Sequence, residues 1–337
     1  MDTRKIGTLT VSEVGLGCNN FGMLIEQKES DAVVGAALDA GITLFDTADM
    51  YGNTKSEEYL GAVLGARRDD IVLATKFGGP FEGHTGGATP EYARTSLEDS
   101  LRRLRTDHVD LYQLHYPDPK TPIAETLGTL GDLVAEGKIR EIGCSNFDAA
   151  QLEEAARAVK DGAPRFVSVQ NEYNLLHRDP EDEVLEFCDR THAAFLPYFP
   201  LASGLLSGKY RPGAGAPEGT RLAAWGSYAK DQLSDERLAT VAALHALAQT
   251  EGHTVLDLAF AWLLSRTSVA SVIAGATKPE QVTANVAAGQ WKPSAELLAQ
   301  VDAIAPRGLA RGKGGPRPAA ATPGRALSGS RTRSWDG

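Results

Sequence analysis

Four side chains in this sequence combine into a site for moving a proton. Asp46 ends the apolar run Thr43-Leu44-Phe45, and Tyr51 stands in the turn just beyond it. Lys76 ends Ile71-Val72-Leu73-Ala74-Thr75, and His115 ends Val109-Asp110-Leu111-Tyr112-Gln113-Leu114. A phenol, with an unperturbed pKa of about 10, is a poor acid near neutrality unless a cation stabilises its phenolate. Lys76 can supply that cation, Asp46 keeps the ammonium charged, and His115 can hydrogen-bond the oxygen that receives the proton. Taken singly, Tyr51 is equally well a core tyrosine, and Asp46 with Lys76 a structural ion pair. Their shared placement at strand ends argues for chemistry. The set has no evident nucleophile or metal, so a second reactant must be brought in.

Apolar runs that stop at a polar residue read as strands buried on both faces, which belong to parallel sheets covered by helices. When such a sheet closes, the carboxyl ends of its strands gather round one mouth. From Val14 onward strand and helix alternate, giving about eight strands and the fold class α/β, a (β/α)8 TIM barrel of roughly 250 residues as one domain. The expected helices include Asp31–Ala40, Pro122–Glu136 and one long stretch over Asp235–Ser265, and Arg4–Val11 reads as a hairpin turning near Gly7. Two segments break the rhythm. Gly208–Ser234, with Trp225 and Tyr228, reads as a lid. Residues 307–337 form a basic tail, expected to be disordered, behind a domain spanning 1–306.

No Gly-x-Gly-x-x-Gly follows a strand, and Gly204–Lys209 has the wrong spacing for a Walker motif. A barrel phosphate site is expected instead after the seventh and eighth strands. There, Ser203, Gly204 and Lys209 can wrap a pyrophosphate, with Tyr198 offering a flat face to an aromatic ring. Thr277-Lys278-Pro279-Glu280 has capping-box spacing, with Thr277 as N-cap and Glu280 reaching back, which leaves backbone N–H groups facing the mouth.

The order Asp46, Tyr51, Lys76, His115, with Ile142-Gly143-Cys144-Ser145-Asn146-Phe147, Val169-Gln170-Asn171-Glu172-Tyr173-Asn174, Pro200–Tyr210 and Gly275-Ala276-Thr277-Lys278, resembles the aldo-keto reductase superfamily up to about Ala305. The resemblance implies a hairpin plugging the barrel floor and the reduction of an aldehyde or ketone by NADPH (the NADP+ couple), with Tyr51 as proton donor. It also implies that Ser145, Asn146 and Gln170 hold the nicotinamide carboxamide and that Tyr198 stacks on the ring. Leu201, Ser203 and Lys209 would follow the pyrophosphate, and Gly275, Thr277, Lys278, Gln281 and Asn285 the adenosine end. Phe199, Gln281 and Ala284 depart from the family pattern, where many members carry Ser, Arg and Glu. The preference for NADPH over NADH therefore rests on family habit, with Lys278 as the remaining grip on a 2′-phosphate. The same barrel and tetrad occur in potassium-channel β-subunits, so a cofactor-sensing binding module is the alternative. A Schiff-base aldolase using Lys76 is a third.

The net charge of −10 argues against nucleic acid or an anionic membrane as partner. The tail holds seven Arg/Lys against Asp336 alone, leaving 27 basic and 43 acidic side chains elsewhere, a net of −16. No run approaches the roughly 20 apolar residues of a membrane helix, and no signal peptide is evident, so a cytoplasmic protein with a small-molecule carbonyl substrate is expected. Homo-oligomerisation stays open. Cys18, Cys144 and Cys188 read as buried free thiols, and no His or Cys spacing suits a metal. Pocket walls are expected from residues near Phe21, Met23, Phe77 and Tyr116 and from the Gly208–Ser234 lid, Asp49 lines the entrance, and Gly78-Gly79 with Gly86-Gly87 make the loop after Lys76 pliable.

Overall fold

The computed structural model describes residues 1–160, 162–210, 222 and 232–308. The chain opens on a hairpin, β1 (Thr3–Ile6) and β2 (Leu9–Ser12), and continues into β3 (Val14–Gly17). Then follow α1 (Gln27–Asp39), β4 (Leu44–Asp46), α2 (Lys55–Leu64), β5 (Val72–Phe77), α3 (Pro90–Leu104), β6 (Val109–Leu114) and α4 (Ile123–Ala135). The second half has β7 (Ile139–Ser145), α5 (Ala149–Ala158), β8 (Phe166–Glu172), α6 (Val184–Thr191) and β9 (Ala194–Tyr198). Beyond the loop come α7 (Asp235–Thr250), α8 (Val255–Leu264), β10 (Val272–Gly275), α9 (Pro279–Ala288) and α10 (Ala295–Ile304).

Strands β3 to β10 form one parallel sheet of eight strands in the order β10-β3-β4-β5-β6-β7-β8-β9. A bridge between Phe195 and Val269, with Phe195 N–H to Ser268 O at 2.7 Å, joins its two edges. This is the expected (β/α)8 barrel. The hairpin lies across the floor, where Ile6, Leu9 and Val11 pack with Leu44, Val72, Leu111 and Leu196. Thr8 at the hairpin turn donates from N and Oγ1 to Glu141 Oε1 at 2.7 and 2.6 Å. Arg4 spans three backbone carbonyls, of Leu264, Arg266 and Val269. A larger apolar layer lies between the outer strand faces and the helices, so the barrel wall is buried on both sides.

The two faces explain the near-continuous apolar runs, since alternate side chains point to different cores rather than to core and water. At β7 and β8 the register slips by one residue between Ile142 and Gly143, pairing Gly143 with Ser168 and Ser145 with Gln170. Such a bulge re-aims side chains.

Several boundaries differ from expectation. Helix α1 begins at Gln27, ahead of Asp31, because Glu26 is already its N-cap and Ser30 Oγ donates to Glu26 O. The stretch Asp235–Ser265 is two helices. Gly252 takes φ 75° after α7, and a capping box between Thr254 and Asp257 starts α8 afresh; periodicity alone does not register such a restart. Arg307, counted with the tail, has its Nε 2.8 Å from Glu181. The remainder of the expected tail, 309–337, and most of the expected lid lie outside the described residues.

Candidate active site

Asp46 closes β4, Lys76 lies one residue from the end of β5, and His115 follows β6, so three adjacent strands deliver them to the same end of the barrel. Lys76 is 0% exposed, and its three ammonium protons have three acceptors: Asp46 Oδ2 at 2.6 Å, Thr47 O at 2.9 Å and Tyr51 Oη at 3.4 Å. The Tyr51 and His115 rings meet edge to face, with centroids 5.8 Å apart. All four residues thus converge as the sequence suggested.

The electrostatics differ from the expectation in one respect. Burial, followed by the Asp46 carboxylate, holds the Tyr51 phenol well above its usual range. Tyr51 therefore keeps its proton near neutral pH. Burial, then the Lys76 charge, pushes His115 well below the ordinary histidine range, so its imidazole is neutral. His115 Nδ1 is buried without a hydrogen-bond partner.

The site has members that the sequence pattern alone does not single out. Gln113 Nε2 donates to Asp46 Oδ1 at 3.3 Å and Gln170 Nε2 donates to the same oxygen at 2.9 Å. Alternation from His115 could have flagged Gln113, since residues two apart on a strand share a face. Gln170, expected at a cofactor carboxamide, thus also addresses the tetrad. Beside it, Ser145 Oγ donates to Gln170 O at 2.6 Å. Asn146, held at φ 64°, donates through Nδ2 to His115 O and accepts from Tyr198 Oη at 2.7 Å.

The two loops expected to hold phosphate lie after β9 and β10. After β9, Phe199, Ala202, Ser203, Gly204 and Gly208 all take positive φ. A non-glycine residue there costs of order 1–3 kcal/mol, which is characteristic of binding loops, and such turns point successive N–H groups toward an anion. A Cβ on Gly204 would lie 3.2 Å from both Cε and Nζ of Lys209, so the lysine folds across the glycine. Leu201 caps the short 3-10 turn Ala202–Ser207.

After β10 the expected cap is wrong in detail. Lys278, not Thr277, is the N-cap of α9. Gln281, rather than Glu280, reaches back, accepting from Thr277 N at 2.7 Å and Oγ1 at 3.2 Å. The Thr277 amide is thereby used up. Gly275 ends β10, Lys278 is exposed and Asn285 is buried.

Two further expectations differ from the structure. Phe21 and Phe77 are 0% exposed and belong to the outer core, Phe77 stacking on Tyr112 at 4.8 Å; of the expected walls, Tyr116 is 38% exposed and stacks on His115. Asp49 does not line an entrance but is 1% exposed, with both carboxylate oxygens unpartnered. In the loop after Lys76, Gly87 N–H donates to Gly78 O, and a Cβ on Gly86 would lie 2.5 Å from that carbonyl. The cysteines are free and buried, as expected. Among the described residues no cluster suits a metal ion, and no helix is long and apolar enough to cross a membrane.

The chain is similar to known proteins. The sequence profile of the Aldo/keto reductase family matches residues 13–306. The aldo-keto reductase YhdN of Bacillus subtilis is 35% identical over 88% of this chain and 90% of its own. A probable voltage-gated potassium channel β-subunit of Oryza sativa is 34% identical over 88% of this chain and 93% of its own. The solved structure of a glycerol dehydrogenase from Gluconobacter oxydans superposes with a TM-score of 0.79 at 32% identity, covering 94% of this chain and 98% of that one. With an eight-stranded barrel and a family match over nearly its whole described length, this chain belongs to the aldo/keto reductase family of oxidoreductases.

Proposed function

We propose that the chain is an NADPH-dependent carbonyl reductase in which Tyr51 delivers the proton to an aldehyde or ketone oxygen. The observation that carries this reading is the Lys76 ammonium, seated between Asp46 Oδ2 at 2.6 Å and Tyr51 Oη at 3.4 Å. A carbonyl oxygen becoming an alkoxide beside Tyr51 and His115 takes its proton from the phenol. The neutral imidazole orients it, and the ammonium stabilises the charge left on Oη. With its pKa raised, Tyr51 carries its proton near neutral pH, the state that reduction requires.

The residues present suit a nicotinamide dinucleotide, which when bound supplies the hydride. Ser145, Asn146 and Gln170 present amide and hydroxyl groups beside the tetrad for its carboxamide, with Tyr198 next to them. Leu201, Ser203 and Lys209 would hold the pyrophosphate on the positive-φ loop, and Gly275, Thr277, Lys278, Gln281 and Asn285 the adenosine end. With Gln281 committed to Thr277, Lys278 is the basic group at that end for a 2′-phosphate. The substrate is a small carbonyl compound, and Tyr116 supplies an aromatic wall.

A second reading, a cofactor-sensing binding module, draws on the kinship with the Oryza sativa channel β-subunit. A panel of aldehydes, ketones and sugars assayed by NADPH absorbance separates the two. Steady consumption with at least one compound is expected; tight NADPH binding without turnover of any would favour the binding module.

A further inference from the structure

Asp46 divides its two oxygens between different partners. Oδ2 faces the Lys76 ammonium, while Oδ1 accepts from the carboxamides of Gln170 and Gln113. Gln113 pairs with Lys76 across β5 and β6 and with Gly143 across β6 and β7. Its side chain is 0% exposed, and its Oε1 is buried with no hydrogen-bond partner. Exchanging its O and N would set an acceptor against a carboxylate, so electrostatics fixes Nε2 toward Asp46.

An amide half of which is unsatisfied weakens a buried site relative to an apolar side chain of the same shape. Folding therefore does not explain Gln113. Its surroundings are nevertheless cleared for it. Gly143 has no positive φ that would require glycine. A Cβ there would lie 2.4 Å from Ser168 Oγ and 3.2 Å from Gln113 Cγ, so the missing side chain makes room.

We propose that Gln113 is a positioning residue of the tetrad: its amide holds Asp46 Oδ1 so that Oδ2 stays directed at Lys76. On the proposed function Gln170 has a second claim on its amide, the cofactor carboxamide, whereas Gln113 Nε2 has Asp46 alone. Asp46 thus keeps its orientation whichever way Gln170 turns. The inference rests on the reductase reading for its kinetic consequence, though not for its structural one.

The test is Gln113→Met, which keeps the volume and removes the donor. The expected results are a Tm equal to or above wild type, unchanged NADPH affinity by fluorescence titration, and a kcat lower by about ten- to a hundredfold, the worth of a hydrogen bond to a charged group. KM stays the same, and the solvent isotope effect on kcat rises because proton donation becomes slower. A crystal structure of the variant should show the Asp46 carboxylate turned and Lys76 Nζ farther from Tyr51 Oη than the present 3.4 Å. An unmoved carboxylate, or an unchanged kcat, overturns the proposal. So does a joint fall of Tm, NADPH affinity and kcat, or failure of both Gln113→Met and Gln113→Leu to fold, since the amide would then be a structural brace. If the wild type turns over no carbonyl compound, the reductase reading fails, and the crystal structure still decides the role of Gln113.

Discussion

Asp46 and Asp49 stand three positions apart in one loop-bound segment, both almost wholly buried, and they live in opposite circumstances. Asp46 points into the barrel, where an ammonium and two carboxamides donate to it. Asp49 has no side-chain donor on either oxygen. Burial first, and the neighbouring Glu57 second, push its carboxyl well above the usual carboxylate range. Glu57 itself is fully engaged, accepting from Thr75 Oγ1 at 2.5 Å and Arg103 Nε at 2.7 Å. The difference shows that burial does not by itself decide how a carboxylate is held. What matters is whether the fold surrounds it with donors.

The comparison can be broken most sharply through chemistry. Tyr51→Phe should lower kcat for carbonyl reduction by about 10²–10⁴-fold, the usual worth of a positioned general acid, while NADPH affinity stays near wild type. Equal activity in that variant would remove Tyr51 from the mechanism. Next in size, Lys76→Met leaves Asp46 buried without its cation, and a loss of about 3–5 kcal/mol is expected in urea unfolding. A negligible loss would mean that the two carboxamides suffice.

Asp49→Asn should do the reverse and stabilise the protein. Because its folded pKa is raised, the native carboxyl keeps a proton that the unfolded chain releases from about pH 3.9 upward. The contribution to stability is full below that value and is lost as pH rises toward the folded pKa. The gain from Asp49→Asn should therefore be least near pH 4 and grow with pH, reaching about 1–2 kcal/mol in denaturant titrations. A gain that is flat with pH would show that Asp49 has a partner.

His115 supplies the opposite sign and the smallest effect. Its folded pKa lies below the unfolded value of about 6.5, so the unfolded chain takes the proton first. Stability is full above that pH and declines as pH falls below it. In His115→Gln this part of the acid decline should vanish, which unfolding curves at pH 7, 6 and 5 would reveal.

Much of the barrel was legible in the sequence because strands buried on both faces leave unbroken apolar runs ending in polar residues, as at Asp46 and Lys76. The resemblance to known sequence words then marked the four side chains that converge, Asp46, Tyr51, Lys76 and His115. Features made by local hydrogen bonding were less legible. The restart at Thr254 and the reach of Gln281 to Thr277 depend on one side-chain choice among several that a helix start allows. Phe77, which ends β5, lies in the outer core, because an aromatic residue at a strand end reads the same whether it faces the mouth or the helices.

The amino-acid sequence by itself determined the alternation of strand and helix and the presence of a phenol, an ammonium, a carboxylate and an imidazole at strand ends, since both are properties of residue order. Only the tertiary structure decided which face each side chain took. The bulge at Gly143 and the closure of the barrel set those directions, and with them the donors round Asp46, the isolation of Asp49 and the proton held on Tyr51. Those outcomes depend on groups distant along the chain, whose distances and desolvation exist only once the barrel has closed.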